Sequence, residues 1–177
     1  GTVILFGDGA AGVLLDARDD GPGFLAGNLG VDGSAADILM VPAGGSRRPT
    51  TAVTVTNREH FVRMQGQEVF RRAVRAVVDS AEVALERAGV ATSEVDWFVP
   101  HQANLRIIEA ARQRLGIPTE RTVVNIERYG NTSAASIPLA MSEAADDGRL
   151  SPGDTVLLSG FGAGMSWASA VLTWGAS

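Results

Sequence analysis

The sequence predicts an α/β fold, a mixed and mainly parallel sheet covered by helices with an antiparallel pair at its end. Three observations support it. Short apolar runs without polar alternation, among them Trp97-Phe98-Val99 and Thr122-Val123-Val124-Asn125-Ile126, suit strands buried on both faces. Between such runs lie stretches with apolar residues at three- and four-residue steps, the signature of helices packed on a sheet. Finally, Thr155 to Phe161 and Met165 to Trp174 are separated only by Gly162-Ala163-Gly164, as in a hairpin.

Taken in order, the chain is expected to open with a hairpin: Val3 to Phe6 as a strand, Gly7-Asp8-Gly9 as its turn and Ala11 to Asp16 as the return. Asp8 between glycines reads as turn chemistry rather than as a metal ligand. Gly21-Pro22-Gly23 reads as a second turn and Phe24 to Leu29 as a third strand. Gly30 to Thr51, rich in Gly, Ser, Pro and Asp, reads as a long surface excursion of the kind that often carries function.

Phe61 to Met64 then suggests a short strand and Gly66 to Ala88 a helix closed by Gly89. Its apolar stripe runs through Val69, Phe70, Ala73, Val74, Val77, Ala81, Ala84, Leu85 and Ala88. After the strand at Trp97-Phe98-Val99, Pro100 has no N–H for a central ladder and closes it. From Asn104 the spacing of Leu105, Ile108, Ala111 and Leu115 predicts a helix ended by Gly116-Ile117-Pro118. The run Thr122 to Ile126 is the next strand. A helix from near Ser133 to about Ala145 follows it, with Pro138 close enough to its start to be tolerated.

Composition narrows the function classes. A chain of 177 residues, 45% hydrophobic and 20% charged, buries one core, and one domain is expected. A net charge of −5 argues against a general nucleic-acid binder. No apolar run reaches the length of a membrane span and no leader-like pattern opens the chain, so a cytoplasmic protein is expected. The absence of cysteine excludes disulfides, thiolate metal sites and a cysteine nucleophile supplied by these residues. No metal site is expected. The start at Gly1-Thr2-Val3-Ile4-Leu5-Phe6, without Met and directly in an apolar run, suggests a piece of a longer polypeptide.

Two strand ends concentrate the chemistry. His101, one of two histidines, stands at the carboxyl end of a buried strand, where open α/β sheets place their sites. Asn131, in Arg128-Tyr129-Gly130-Asn131-Thr132-Ser133, follows the next strand and is expected at the same rim. Taken singly, His101 also fits a satisfied histidine at a strand end, and Asn131 a cap or tight-turn residue after Gly130. The small residues Ser133, Ala134, Ala135 and Ser136 permit close backbone approach, as much a packing role as a catalytic one.

The motifs VPHQANLRII, YGNTSAASIP and LLSGFGAGMSW, in that order and preceded by FGDGAAGVLL and MQGQEVF, closely resemble β-ketoacyl-acyl carrier protein synthase III. That family is the initiating condensing enzyme of type II fatty acid synthesis. The resemblance covers essentially the whole chain but only the C-terminal half of the family protein. It implies a thiolase-like fold, residues 1–177 forming one half of a two-half layered α/β/α/β/α architecture. The family's catalytic cysteine lies in the other half, which accounts for its absence here.

The resemblance also implies a mechanism. An acyl group from acyl-coenzyme A is carried on the cysteine; malonyl-acyl carrier protein loses carbon dioxide, and its carbanion attacks the thioester. Decarboxylation places negative charge on the malonyl thioester oxygen. An imidazole N–H from His101 and an amide N–H from Asn131 suit that oxygen, each such donor being worth on the order of 3 kcal/mol. Neutral imidazole is the species required, so activity is expected to fall in acid as His101 becomes cationic.

By position in the family motifs, Phe161, Gly162, Ala163 and Gly164 lie beside the acyl thioester, with the Ala163 N–H completing an oxyanion hole. On spacing alone the same glycines merely turn a hairpin. Gly66 and Phe70 with Ala103, Asn104, Arg106 and Ile107 border the pantetheine tunnel. Arg71, Arg106 and Arg114 match carrier-protein docking positions, although Arg71 and Arg114 equally suit a solvated helix face. Coenzyme A and phosphopantetheine thioesters are substrates in this reading, and no cofactor is expected. The expected partners are acyl-coenzyme A, malonyl-acyl carrier protein, the half or companion chain that carries the nucleophile, and a second copy in a homodimer. Two other readings remain open: an acyltransferase acting on an alcohol or amine without decarboxylation, and a non-catalytic partner subunit.

Overall fold

The computed structural model describes residues 2–17 and 23–175; Gly21 and Pro22 of the expected second turn lie outside them. The described elements are β1 (Phe24–Val31), β2 (Leu39–Met40), α1 (Ala52–Thr56), β3 (Arg63–Met64), α2 (Gly66–Ala88) and β4 (Trp97–Pro100). They continue with α3 (Leu105–Leu115), α4 (Ile126–Tyr129), α5 (Ser136–Asp146), β5 (Thr155–Gly162) and β6 (Ser166–Thr173).

The main sheet has the order β1-β6-β5-β4. The β4–β5 ladder is parallel and the β5–β6 and β6–β1 ladders antiparallel, so β1, β4 and β5 share one direction and β6 runs against them. The sheet is therefore mixed, as expected, with β5 and β6 forming the expected antiparallel pair, but only one of its three ladders is parallel, because β6 lies between β5 and β1 and runs against both.

Alternation along the central strands makes the layers. On β4, Phe98 joins Val77, Ala81 and Leu85 of α2 and Ala111 and Leu115 of α3 on one face. Its neighbour Val99 joins Ala140 and Ala144 of α5 on the other. Val156 and Leu157 of β5 divide in the same way, because successive strand residues point to opposite faces. Full burial of each such side chain contributes roughly 1.5–3 kcal/mol. The 23-residue α2 matches the predicted helix, and its buried Ser80 receives the Asn28 amide of β1 at 3.2 Å. Helix α3 ends at Gly116, whose φ of +71° is the left-handed cap that glycine adopts without a Cβ penalty. Pro138 is the third residue of α5, in the first turn, where a helix leaves its N–H groups unpaired in any case.

Three further expectations are corrected. The opening hairpin does not form: Thr2–Leu5 is a 3₁₀ turn, Phe6 makes an isolated parallel bridge to Asn131, and residues 7–17 are irregular. With its expected partner strand drawn to Asn131, the segment Ala11 to Asp16 has no ladder to join, and Val13, Leu14 and Leu15 are 68%, 93% and 89% exposed. The expected strand Thr122 to Ile126 reduces to one parallel bridge, Phe98 to Thr122, with the Val123 N–H on the Phe98 carbonyl. Buried Gln102 takes over its backbone groups: the side-chain amide donates to the Val123 carbonyl at 3.2 Å and accepts from the Asn125 N–H at 3.0 Å. The excursion from Gly30 to Thr51 is also more structured than expected. β1 extends to Val31, a 3₁₀ segment covers Gly33–Ile38, and β2 pairs with β3.

Candidate active site

His101 follows β4 directly, and its backbone N–H continues the parallel ladder by donating to the Ser159 carbonyl at 2.8 Å. The ring is fixed on two sides. Its Nδ1 lies 2.6 Å from the Ser136 hydroxyl oxygen at the start of α5, and Phe161 meets it edge-on at 5.6 Å between centroids. Burial holds the imidazole below its ordinary pKa, since removal from water disfavours the cation.

Asn131 is held by its backbone and by its own side chain. Its N–H donates to the Leu5 carbonyl at 3.2 Å, and its carbonyl accepts from the Gly7 N–H at 2.9 Å. Gly7 admits no side chain there, because a Cβ would stand 1.8 Å from the Tyr129 carbonyl oxygen. The Asn131 side-chain oxygen accepts from the Ser133 N–H at 2.9 Å. A backbone N–H can only donate, so this contact assigns the oxygen and leaves the amide NH₂ for other use.

The short helix α4 delivers the chain to Asn131, and Glu143 of α5 anchors it. That carboxylate accepts from Asn125 and Arg128 at 2.8 Å each and from the Tyr129 hydroxyl at 2.6 Å. Burial works against the charge, but the Tyr129 and Asn125 hydrogen bonds and the Arg128 guanidinium hold the Glu143 carboxyl below its usual range. One helix thus holds the Asn131 loop through Glu143 and the His101 ring through Ser136.

Both residues open on one cavity of about 1210 Å³. Its wall includes Gly66 and Phe70 of α2, Ala103, Asn104, Arg106 and Ile107 at the start of α3, and Phe161, Gly162 and Ala163 at the end of β5 and just after it. Asn104 caps α3 by accepting from the Arg106 N–H at 2.9 Å, and the Arg106 guanidinium sits 5.5 Å from the Phe70 ring centroid. Arg106 is the only Asp, Glu, Lys or Arg among the described lining residues.

Three expected residues stand apart from this wall. Gly164 lies in the β5–β6 turn with φ of +136° and does not line the cavity. Arg71 is exposed on α2 and paired with Glu68 at 2.7 Å, and Arg114 is exposed near the end of α3. Conversely, Met40, Val41, Val62 and Met64 of the β2–β3 region line the cavity without having been singled out by their sequence. In the sequence Ser136 is one of four small residues with as much a packing role as a catalytic one. The Ser/Ala run marked it, but its contact with a ring 35 positions away is tertiary.

Comparison with known proteins agrees with this architecture. Residues 85–174 match the family described as 3-oxoacyl-[acyl-carrier-protein] synthase III, C-terminal. The chain is 49% identical over 174 residues to the β-ketoacyl-[acyl-carrier-protein] synthase III of Desulfitobacterium hafniense, covering 98% of this chain and 53% of that protein. It thus spans about half the length of the curated relatives it matches. Among solved structures, the synthase III of Thermus thermophilus superposes with a TM-score of 0.77 at 48% identity, covering 89% of this chain and 48% of that one. The priming β-ketosynthase of the R1128 polyketide biosynthetic pathway does so at 0.75 and 36%, covering 89% and 46%. With a thiolase-like fold, the family's C-terminal region matched across β4 to β6 and nearly half of its residues shared with a named synthase, this chain belongs to the 3-oxoacyl-[acyl-carrier-protein] synthase III family.

Proposed function

We propose that the polypeptide carrying this chain condenses an acyl-coenzyme A primer with malonyl-acyl carrier protein by decarboxylative Claisen chemistry, initiating fatty acid or polyketide synthesis. His101 and Asn131 stabilise the enolate. The observation that carries this reading is the state of their polar atoms on one shared cavity: His101 Nδ1 and the Asn131 side-chain oxygen are both engaged by protein groups. That leaves Nε2 and the amide NH₂ for the substrate, and with the ring proton on Nε2 they are two neutral donors. That set suits charge developing on a thioester oxygen as the malonyl carboxylate leaves as carbon dioxide. The second reading, acyl transfer to an alcohol or amine, needs the opposite tautomer, with Nε2 bare as the base that deprotonates the acceptor.

In this reading Gly66, Phe70, Ala103, Asn104, Arg106 and Ile107 pass the pantetheine arm, and Ala163 offers its N–H to the acyl thioester. Arg71, Arg106 and Arg114 dock the acidic carrier protein. The nucleophile cysteine comes from the other half of the fold, the active form is a homodimer, and the reaction takes place in the cytoplasm without a metal or other cofactor.

The test is carbon dioxide release from malonyl-acyl carrier protein by the intact polypeptide. His101→Ala and Asn131→Ala are each expected to slow it by about 10²–10³-fold, the effect of losing one oxyanion donor. Equal release by Asn131→Ala and the unsubstituted protein would refute the enolate assignment.

A further inference from the structure

We propose that Ser136 is a positioning residue that sets the tautomer of His101, keeping the imidazole proton on Nε2, the atom that faces the cavity. The proposal rests on the enolate reading above and adds to it a residue that acts through the histidine ring.

Protons can be counted around one oxygen. The Gln102 backbone N–H, which can only donate, points at Ser136 Oγ at 3.2 Å and occupies one of its lone pairs. The residue is 1% exposed, and the described partners of its hydroxyl are that N–H and His101 Nδ1. If Nδ1 carried the ring proton, it would donate into the second lone pair. The hydroxyl hydrogen of this almost fully buried residue would then have no described protein group to receive it, an arrangement that native interiors avoid. The satisfied arrangement is the other one: Ser136 donates to a bare Nδ1, and the ring proton resides on Nε2.

The geometry keeps this arrangement in place. Gln102 is fully buried, and its side chain is held by the Pro100 carbonyl at 2.7 Å as well as by residues 123 and 125, so its backbone N–H is a fixed donor. Ser136 opens α5, and both it and Ile137 line the cavity, the serine only 1% exposed. The residue after the histidine therefore orients the hydroxyl that in turn selects the histidine's proton.

The experiment uses the intact polypeptide with ¹⁵N-labelled histidine, His101 being assigned by loss of its signals in His101→Ala. The unsubstituted protein is expected to show a bare, hydrogen-bonded Nδ1 and a protonated Nε2; a proton on Nδ1 overturns the proposal without any variant. Ser136→Ala is expected to give a mixture of tautomers. It should also slow malonyl-thioester decarboxylation roughly tenfold, the weight of one neutral hydrogen bond, with KM unchanged. Ser136→Thr, which keeps the hydroxyl, should restore both. A Ser136→Ala protein with unchanged tautomer and rate overturns the proposal. If His101→Ala decarboxylates normally while Ser136→Ala still mixes the tautomers, the enolate reading falls and the assignment of Ser136 stands.

Discussion

Burial of the His101 ring has a sign that can be followed into activity. In the proposed reaction the competent species is neutral imidazole, and burial lowers its pKa, so that species persists to lower pH than an exposed histidine would allow. The described cavity wall offers no carboxylate to favour the cation. Decarboxylation is therefore expected to keep its full rate through the ordinary imidazole range and to fall only below it, as pH drops through the lowered pKa. A pH profile of the intact polypeptide checks this, with Asn131→Ala retaining the same acid limb at reduced height. An acid limb at or above the ordinary imidazole value would sink the expectation. That His101 and Asn131 face one cavity was legible in the sequence because each follows an apolar run and falls in a motif. Ser136 was not, because one serine among small residues acquires its role only when α5 is laid against the end of β4.

At the scale of elements, periodicity identified what is regular and missed what a side chain replaces. The 3.6-residue stripes of α2 and α3 and the paired runs of β5 and β6 were readable because each buries one continuous face. The run from Thr122 to Ile126 has strand composition, yet Gln102 supplies two of its hydrogen bonds and α4 begins at its last residue. No local pattern announces that substitution. The same gap hid Glu143, which ties α4 to α5. Its folded pKa is depressed, so its stabilising contribution is present above the unfolded carboxyl value and is lost as pH falls through the folded one. Glu143→Gln keeps one acceptor oxygen for Asn125, turns an NH₂ donor toward the Tyr129 phenol oxygen and removes the charge facing Arg128. Its melting temperature is expected below that of the unsubstituted protein at neutral pH, the gap closing as the native carboxylate protonates. A gap independent of pH would show that the network acts through shape alone.

For the whole molecule, the sheet and its two helical layers account for the interior, but they leave apolar side chains uncovered. Val13, Leu14 and Leu15 lie on an irregular segment, and β1, the edge strand, leaves Phe24, Leu29 and Val31 71%, 85% and 72% exposed. Relatives of this chain are about twice its length, and in the proposed reading the remaining half of the fold covers these residues. The consequence is measurable. In the intact polypeptide, Leu14→Lys replaces a covered leucine by a cation, forfeiting roughly 1.5–3 kcal/mol of apolar burial and adding the cost of an unpaired charge. Gln113→Lys, on the exposed face of α3, serves as the control for an added charge alone. Calorimetry is expected to show a several-degree fall in melting temperature for the first and almost none for the second. Equal melting temperatures would mean that Leu14 stays in water in the complete protein, and that the other half of the fold meets this one elsewhere.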